Sequence, residues 1–161
     1  MDKELEILFV CTGNTCRSSM AEAIAKEKIR ELGLKSGDHE KVKIISAGTA
    51  AFPGCPASPQ AVEVLRRKNI DLSCHKSQRI SPEMLKEADY IFTMTVLQKQ
   101  QVLFLYPEAA GKVFTLKEFA YPDFSRGLNI DDPFGGDADC YAECAAELEK
   151  AIIKMLEKVF C

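Results

Sequence analysis

One short stretch near the start restricts what this chain can fold into. The unbroken apolar run Ile7-Leu8-Phe9-Val10 enters Cys11-Thr12-Gly13-Asn14-Thr15-Cys16-Arg17-Ser18, and a helical pattern leaves it. A run of this kind, within Leu5–Val10, reads as a strand buried on both faces, and such a strand needs a sheet covered by helices on both sides. From about Ser18 to Leu32 the apolar positions Ala21, Ile24, Ala25, Ile29 and Leu32 recur at three- and four-residue spacing, the stripe of an amphipathic helix. Ser19 and Glu22 are placed to form a capping box at its start. The order strand, loop, helix indicates an α/β architecture. It also puts the loop beyond the carboxyl end of a strand, where such sheets bind ligands.

The rest of the chain repeats the alternation. Lys35–Lys41 is a polar turn, and Val42–Ser46 is a second strand ending at Ala47-Gly48-Thr49. A Pro/Gly loop over Phe52–Pro59 precedes a helix over roughly Pro59–Lys68. Ser81–Glu87 is a short helix opened by Pro82, since proline suits the first helical turn. Asp89–Met94 is the third strand, Val96–Leu105 a helix stopped at Pro107, and Lys112–Leu116 the fourth strand. Lys117–Gly136 reads as a long loop with Pro122, Pro133 and three glycines. The last helix, about Ala138–Phe160, has the stripe Tyr141, Cys144, Leu148, Ile152, Met155 and Val159. Right-handed crossovers then give a single three-layer domain over residues 1–161, a four-stranded parallel sheet with helices on both faces. A structureless loop of about 20 residues is expected to be functional.

Charge and cysteine usage narrow the partners. A formal net charge of −3 over 161 residues argues against an electrostatic nucleic-acid binder. No apolar stretch reaches membrane-spanning length, and Met1-Asp2-Lys3-Glu4 lacks the plan of a secretory signal. Seven cysteines without a repeating spacing do not suit a disulfide framework. A reducing, cytoplasmic setting and a monomer are expected.

Residues 11–18 carry the chemistry. Successive N–H groups in a tight turn make an anion nest, and the following helix N-terminus adds its positive end. Gly13 tolerates positive φ, and Asn14 is among the few other residues that do. Arg17 offers a planar fork able to hold two phosphoryl oxygens. The same positive surroundings favour a thiolate at Cys11, the nucleophilic form of cysteine. Ser18 can donate a hydrogen bond to that sulfur. The spacing is not that of the nucleotide-binding phosphate loop, since no G-x4-G-K-[ST] occurs. Cys11 and Cys16 lack nearby partners for a metal site, so neither metal nor cofactor is expected. Thiolate attack on phosphorus also needs an acid on the opposite side. Asp131-Asp132-Pro133-Phe134, in the long loop, offers two carboxylates and a stiffening proline.

C-x5-R-S with this strand and helix resembles the low-molecular-weight protein phosphatases, and the bacterial branch acting on phosphoarginine in particular. The resemblance runs through Ser46-Ala47-Gly48-Thr49, His75 in Asp71-Leu72-Ser73-Cys74-His75, Asp89–Met94 and the Asp-Pro-aromatic motif. It implies the flavodoxin-like fold of that family and a phosphorylated protein as substrate. It implies Cys11 as nucleophile and Arg17 with Thr12, Gly13, Asn14, Thr15, Cys16 and Ser18 as the phosphoryl cradle. Asp132 becomes the general acid, Phe134 a pocket wall, and Ser46 and His75 supports of the cradle. Asp131 and His39 are read as solvated, Cys144 as core; Cys55, Cys74, Cys140 and Cys161 have no role. Ser19 departs from the proline common after the Arg-Ser pair.

Thr15 is the discriminating position. Tyrosine-directed relatives usually carry an apolar residue there, whereas a hydroxyl can engage an N–P linkage and is costly unpaired against an aryl ring. Asp132 can also pair with the substrate's guanidinium group. Phosphoarginine is therefore the expected substrate and phosphotyrosine the alternative. Thioredoxin-coupled arsenate reductases share a similar loop but need two cysteines after the third strand, and Thr93–Leu105 contains none. A non-catalytic phosphate-binding module would need neither Cys11 nor Asp132. Cys16, beside the nucleophile, is placed for a reversible Cys11–Cys16 disulfide.

Overall fold

Alternation along the first strand builds two separate core layers. In the computed structural model, which describes residues 4–33 and 41–160, β1 spans Leu5–Cys11. Its Leu5, Ile7, Phe9 and Cys11 enter one apolar cluster, while Leu8 and Val10 enter another on the opposite face. This is the two-residue period of a strand buried on both sides. β1 pairs in parallel with β2 (Val42–Gly48) and with β3 (Tyr90–Thr93). β4 (Val113–Thr115) pairs with β3, giving the order β2-β1-β3-β4. The expected four-stranded parallel sheet with helices on both faces is present.

The larger layer holds α1 (Arg17–Leu32), α2 (Pro59–Arg66), α5 (Leu116–Ala120) and α6 (Ala138–Phe160). On the other face lie α3 (Pro82–Glu87) and α4 (Val96–Leu105). On α6 the stripe Tyr141, Cys144, Leu148, Ile152 and Met155 is buried, and Val159 packs at its edge. On α1 the stripe leaves the core at its end, where Leu32 is 56% exposed. Tyr90 and Phe92 of β3, Phe114 of β4 and Phe119 of α5 form an aromatic cluster, with Phe92 and Phe119 centroids 5.0 Å apart edge to face.

Several local expectations are corrected. The loop expected from Lys117 begins instead with α5, capped by a box in which the Thr115 side chain accepts from Glu118 N. Five residues are too few to show a helical period in sequence. A 3-10 helix over Pro107–Gly111 was likewise hidden between α4 and β4. The Ser19/Glu22 capping box does not form. Helix α1 starts at Arg17, so Ser19 lies inside it, and its hydroxyl donates to Cys16 O at 2.9 Å. Glu22 instead accepts from Ser46 Oγ at 2.9 Å. The helix expected to run to Lys68 stops at Arg66. His39, Cys161 and most of the Lys35–Lys41 turn lie outside the described residues. Among the described residues no helix is long and apolar enough to cross a membrane.

Candidate active site

β1 delivers Cys11 to the carboxyl edge of the sheet, and α1 begins six residues later with no side chain capping its first turn. The uncapped amides remain available to an external acceptor. Between them the loop turns on Asn14, whose φ is 57°. Asn14, rather than Gly13, takes the left-handed conformation. The asparagine side chain explains why it can. Its Nδ2 donates to Ser18 Oγ and to Ser46 Oγ, both at 2.9 Å, and its Oδ1 accepts from Gln78 N at 2.9 Å. Its carbonyl accepts from His75 Nε2 at 2.6 Å, and a carbonyl cannot donate, so that nitrogen carries the proton.

Ser18 Oγ stands 2.8 Å from Cys11 Sγ. Ser18 Oγ accepts from Asn14, and its single hydrogen has two acceptors in reach, Cys11 Sγ and, at a longer 3.5 Å, Ala47 O; the shorter contact favours the sulfur. Asn14 N adds a second donor to Cys11 Sγ at 3.3 Å. The sulfur is buried and faces donors only, an arrangement that suits an anion. Thr49 N and Ala50 N pair with the carbonyls of Cys11 and Thr12, both at 2.9 Å, so the end of β2 supports the loop. That support needs Gly48: a Cβ there would lie 2.4 Å from Thr12 O and 3.0 Å from Asn14 N.

One cavity is lined by Cys11, Thr12, Gly13, Thr15, Cys16, Arg17, Asp132 and Phe134. Asn14, Ser18, Ser46 and His75 lie behind it as the supporting layer. Arg17 is 5% exposed, with Nη1 donating to Ile130 O at 3.0 Å and Nη2 3.5 Å from Asp132 Oδ2. The Asp132 carboxylate is half-exposed and accepts from Phe134 N at 3.1 Å. Asp131 is exposed. Among the described residues Thr15 Oγ1 has only a long contact, 3.8 Å, with Cys16 Sγ. Cys16 is buried, 3.3 Å from Tyr141 Oη and 3.4 Å from Ser58 Oγ. Burial, followed by the bond to Cys16, pushes the Tyr141 hydroxyl up to about 12. Burial likewise raises the Cys144 thiol to about 12, which fits a core cysteine. The described cysteines are all free, and no metal-binding group of three or more side chains occurs among the described residues.

Sequence reading missed four contributors. Gln78 and Gln98 hold the loop from outside, the Ile130 carbonyl anchors Arg17, and Tyr141 backs Cys16. Each is an ordinary residue type whose role depends on a neighbour far along the chain. Gly48 carried a legible signal, a glycine ending a strand, though its steric reason was not visible.

The family model of the low molecular weight phosphotyrosine protein phosphatases matches residues 6–160. The protein-arginine-phosphatase of Bacillus subtilis (strain 168) is 40% identical over 155 residues, covering 96% of this chain and 97% of that protein. A YwlE arginine phosphatase structure, a cysteine-to-serine mutant with a phosphorylated active-site serine, superposes with TM-score 0.87 at 39% identity. It covers 96% of this chain and 95% of that one. A low molecular weight protein tyrosine phosphatase from T. tengcongensis superposes with TM-score 0.86 at 41% identity, covering 96% and 99%. By fold, by cradle and by similarity along nearly its whole length, the chain belongs to the low molecular weight phosphotyrosine protein phosphatase family.

Proposed function

We propose that this protein is a cysteine-dependent phosphatase that hydrolyses phosphoarginine on proteins in the cytoplasm, as a monomer without a cofactor. The observation carrying the reading is the convergence on one cavity of the Cys11 sulfur, the Arg17 guanidinium and the Asp132 carboxylate. In the first step Cys11 Sγ attacks phosphorus, and an S–P bond forms as the P–N bond to arginine breaks. Asp132 gives its proton to the departing nitrogen. Arg17 and the loop amides of Thr12, Gly13, Thr15 and Cys16 hold the three equatorial oxygens, while Asn14 N stays on the sulfur. Ser18 hydrogen-bonds the sulfur and eases its later departure. In the second step water attacks phosphorus, Asp132 takes its proton, and the S–P bond breaks to release phosphate. The phosphorylated serine of the YwlE mutant supports a covalent stage at the equivalent position.

Two features favour arginine. Thr15 presents to the cavity a hydroxyl without a close partner, and Asp132 at the mouth can pair with a guanidinium. The Bacillus subtilis relative, named for the same activity, points the same way. Tyrosine is the second reading, favoured by Phe134, which lines the cavity at 77% exposure and offers a flat face to an aryl ring. A peroxide that oxidises Cys11 to a sulfenic acid would let the Cys16 thiol displace water from it, and the resulting Cys11–Cys16 disulfide would mask the nucleophile until a thiol reductant reopens it, provided Cys16 leaves Tyr141 and Ser58.

Catalytic efficiency on matched phosphoarginine and phosphotyrosine peptides tests the substrate. The expected outcome is a preference for arginine that Thr15→Ile shifts by about tenfold or more toward tyrosine. An unchanged ratio would remove Thr15 as the selector. Rapid acid quench should trap one phosphoryl group on Cys11, and product formation without any such adduct would refute the covalent route.

A further inference from the structure

A buried amide outside the loop reaches its rim. Gln98, 2% exposed in the first turn of α4, donates from Nε2 to Thr12 Oγ1 at 3.1 Å. Its other end accepts from Met94 N at 2.9 Å and from Thr95 N at 3.0 Å. Backbone N–H groups can only donate, so Oε1 must face them and Nε2 must face Thr12. The amide cannot be flipped without setting donors against donors. Gln98 is further locked as the third helical residue, closing the α4 capping box, where Gln98 N donates to Thr95 Oγ1 at 3.2 Å.

This fixes the direction of the Thr12 hydroxyl. With Oγ1 accepting from Gln98, its one hydrogen must point elsewhere, and among the described residues Thr12 Oγ1 has no hydrogen-bond acceptor of its own. Thr12 is exposed and lines the cavity that holds Cys11 and Arg17. We propose that Thr12 is a substrate-contacting hydrogen-bond donor to a phosphoryl oxygen, and that Gln98 is the positioning residue that turns its hydrogen toward the cavity. The cradle then has a side-chain donor beyond its backbone amides and Arg17. This inference rests on the phosphatase reading of the site.

The test uses two nearly isosteric changes. Thr12→Val removes the hydroxyl and keeps the shape. Gln98→Glu keeps the two backbone acceptor contacts but replaces Nε2 with a carboxylate oxygen, which accepts the Thr12 hydrogen and draws it from the cavity. Two quantities are read: kcat/KM on a phosphoarginine peptide and the inhibition constant of inorganic phosphate. Either variant should lower the first, and weaken phosphate inhibition, by about tenfold or more, as expected for one hydrogen bond to a charged group. Thr12→Ser should restore both. In a Thr12→Val background, Gln98→Glu should have little further effect. The proposal fails if Thr12→Val leaves phosphate inhibition unchanged. It also fails if Gln98→Glu is equally damaging with and without the hydroxyl, since Gln98 would then act on the loop as a whole. Thr12 is exposed, so Thr12→Val should fold even if a carboxylate at position 98 disturbs α4. Wild-type protein that binds phosphate but turns over no phosphorylated peptide would defeat the phosphatase reading instead, leaving the dissociation constant of inorganic phosphate, measured by calorimetry, to judge Thr12.

Discussion

The two halves of the site are built differently. The cradle, residues 11–18, is tied from behind by β2, the Ser77–Gln78 segment, His75 and α4. Asn14 and Ser18 are wholly buried, and Asn14 makes hydrogen bonds with every polar atom of its side chain. The acid segment is anchored mainly at its stem. Asn129 Oδ1 accepts from Val96 N at 2.8 Å, its carbonyl accepts from Lys117 Nζ at 3.1 Å, and Ile130 N donates to Met94 O at 2.8 Å. Beyond Ile130 the segment opens to solvent, with Phe134 exposed and Asp132 held mainly by its own turn and by Arg17. The contrast fits the two tasks proposed for these segments. Stabilising charge on a phosphoryl group requires dipoles fixed in advance, whereas a group that passes a proton to a leaving atom and then to water needs access.

The comparison can be broken first at the acid. Asp132→Asn should lower kcat by about 100-fold or more while leaving phosphate inhibition and Tm close to wild type, because the tip supports little else. A large fall in Tm would mean the tip is as structural as the cradle. Gly48→Ala should do the reverse. A Cβ lying 2.4 Å from Thr12 O forces backbone to move. Both Tm and phosphate binding should drop, with activity falling by about 100-fold if the loop shifts by roughly 1 Å. Retention of phosphate affinity would show the cradle to be more forgiving than its hydrogen bonds imply. The smallest effect concerns α6, which backs both halves. Tyr141 touches Cys16, and Cys144 Sγ lies 4.0 Å from Asp131 O. Both groups hold their protons up to about 12 when folded, above their ordinary values of 10.0 and 9.0. Their contribution to stability is therefore complete below about pH 9 and is lost as pH rises toward 12. Tm measured from pH 8 to 11 should decline, and less steeply in a Tyr141→Phe, Cys144→Ala double variant. Identical slopes would count against this linkage.

Legibility in the sequence followed the range of each interaction. The long α6 matched its expected bounds because hydrophobic spacing over several turns averages out local exceptions, and Val96–Leu105 did so because Pro107 marks where the helix stops. Helix α5 did not, since five residues hold barely more than one turn. The missing Ser19/Glu22 box has a different cause. Ser19 follows Cys16 by three residues within a chain path set by the cradle, and local capping preference gave way to that path.

That the Cys11 sulfur, the loop and the Arg17 guanidinium lie together was readable because they belong to eight consecutive residues, so their proximity is carried by spacing alone. Of the supports, Ser46 and His75 were reached only through the family resemblance, and the others were not read at all. Gln78, Gln98, Ile130 and Tyr141 come from four separate places in the chain, and nothing local marks a glutamine as the partner of a threonine 86 positions away. Which way the Thr12 hydroxyl points, and why position 48 must lack a side chain, depend on atoms that meet only after β1, β2 and β3 align. Hydrogen-bond direction and steric exclusion are properties of neighbours in space, and those neighbours were chosen by the fold.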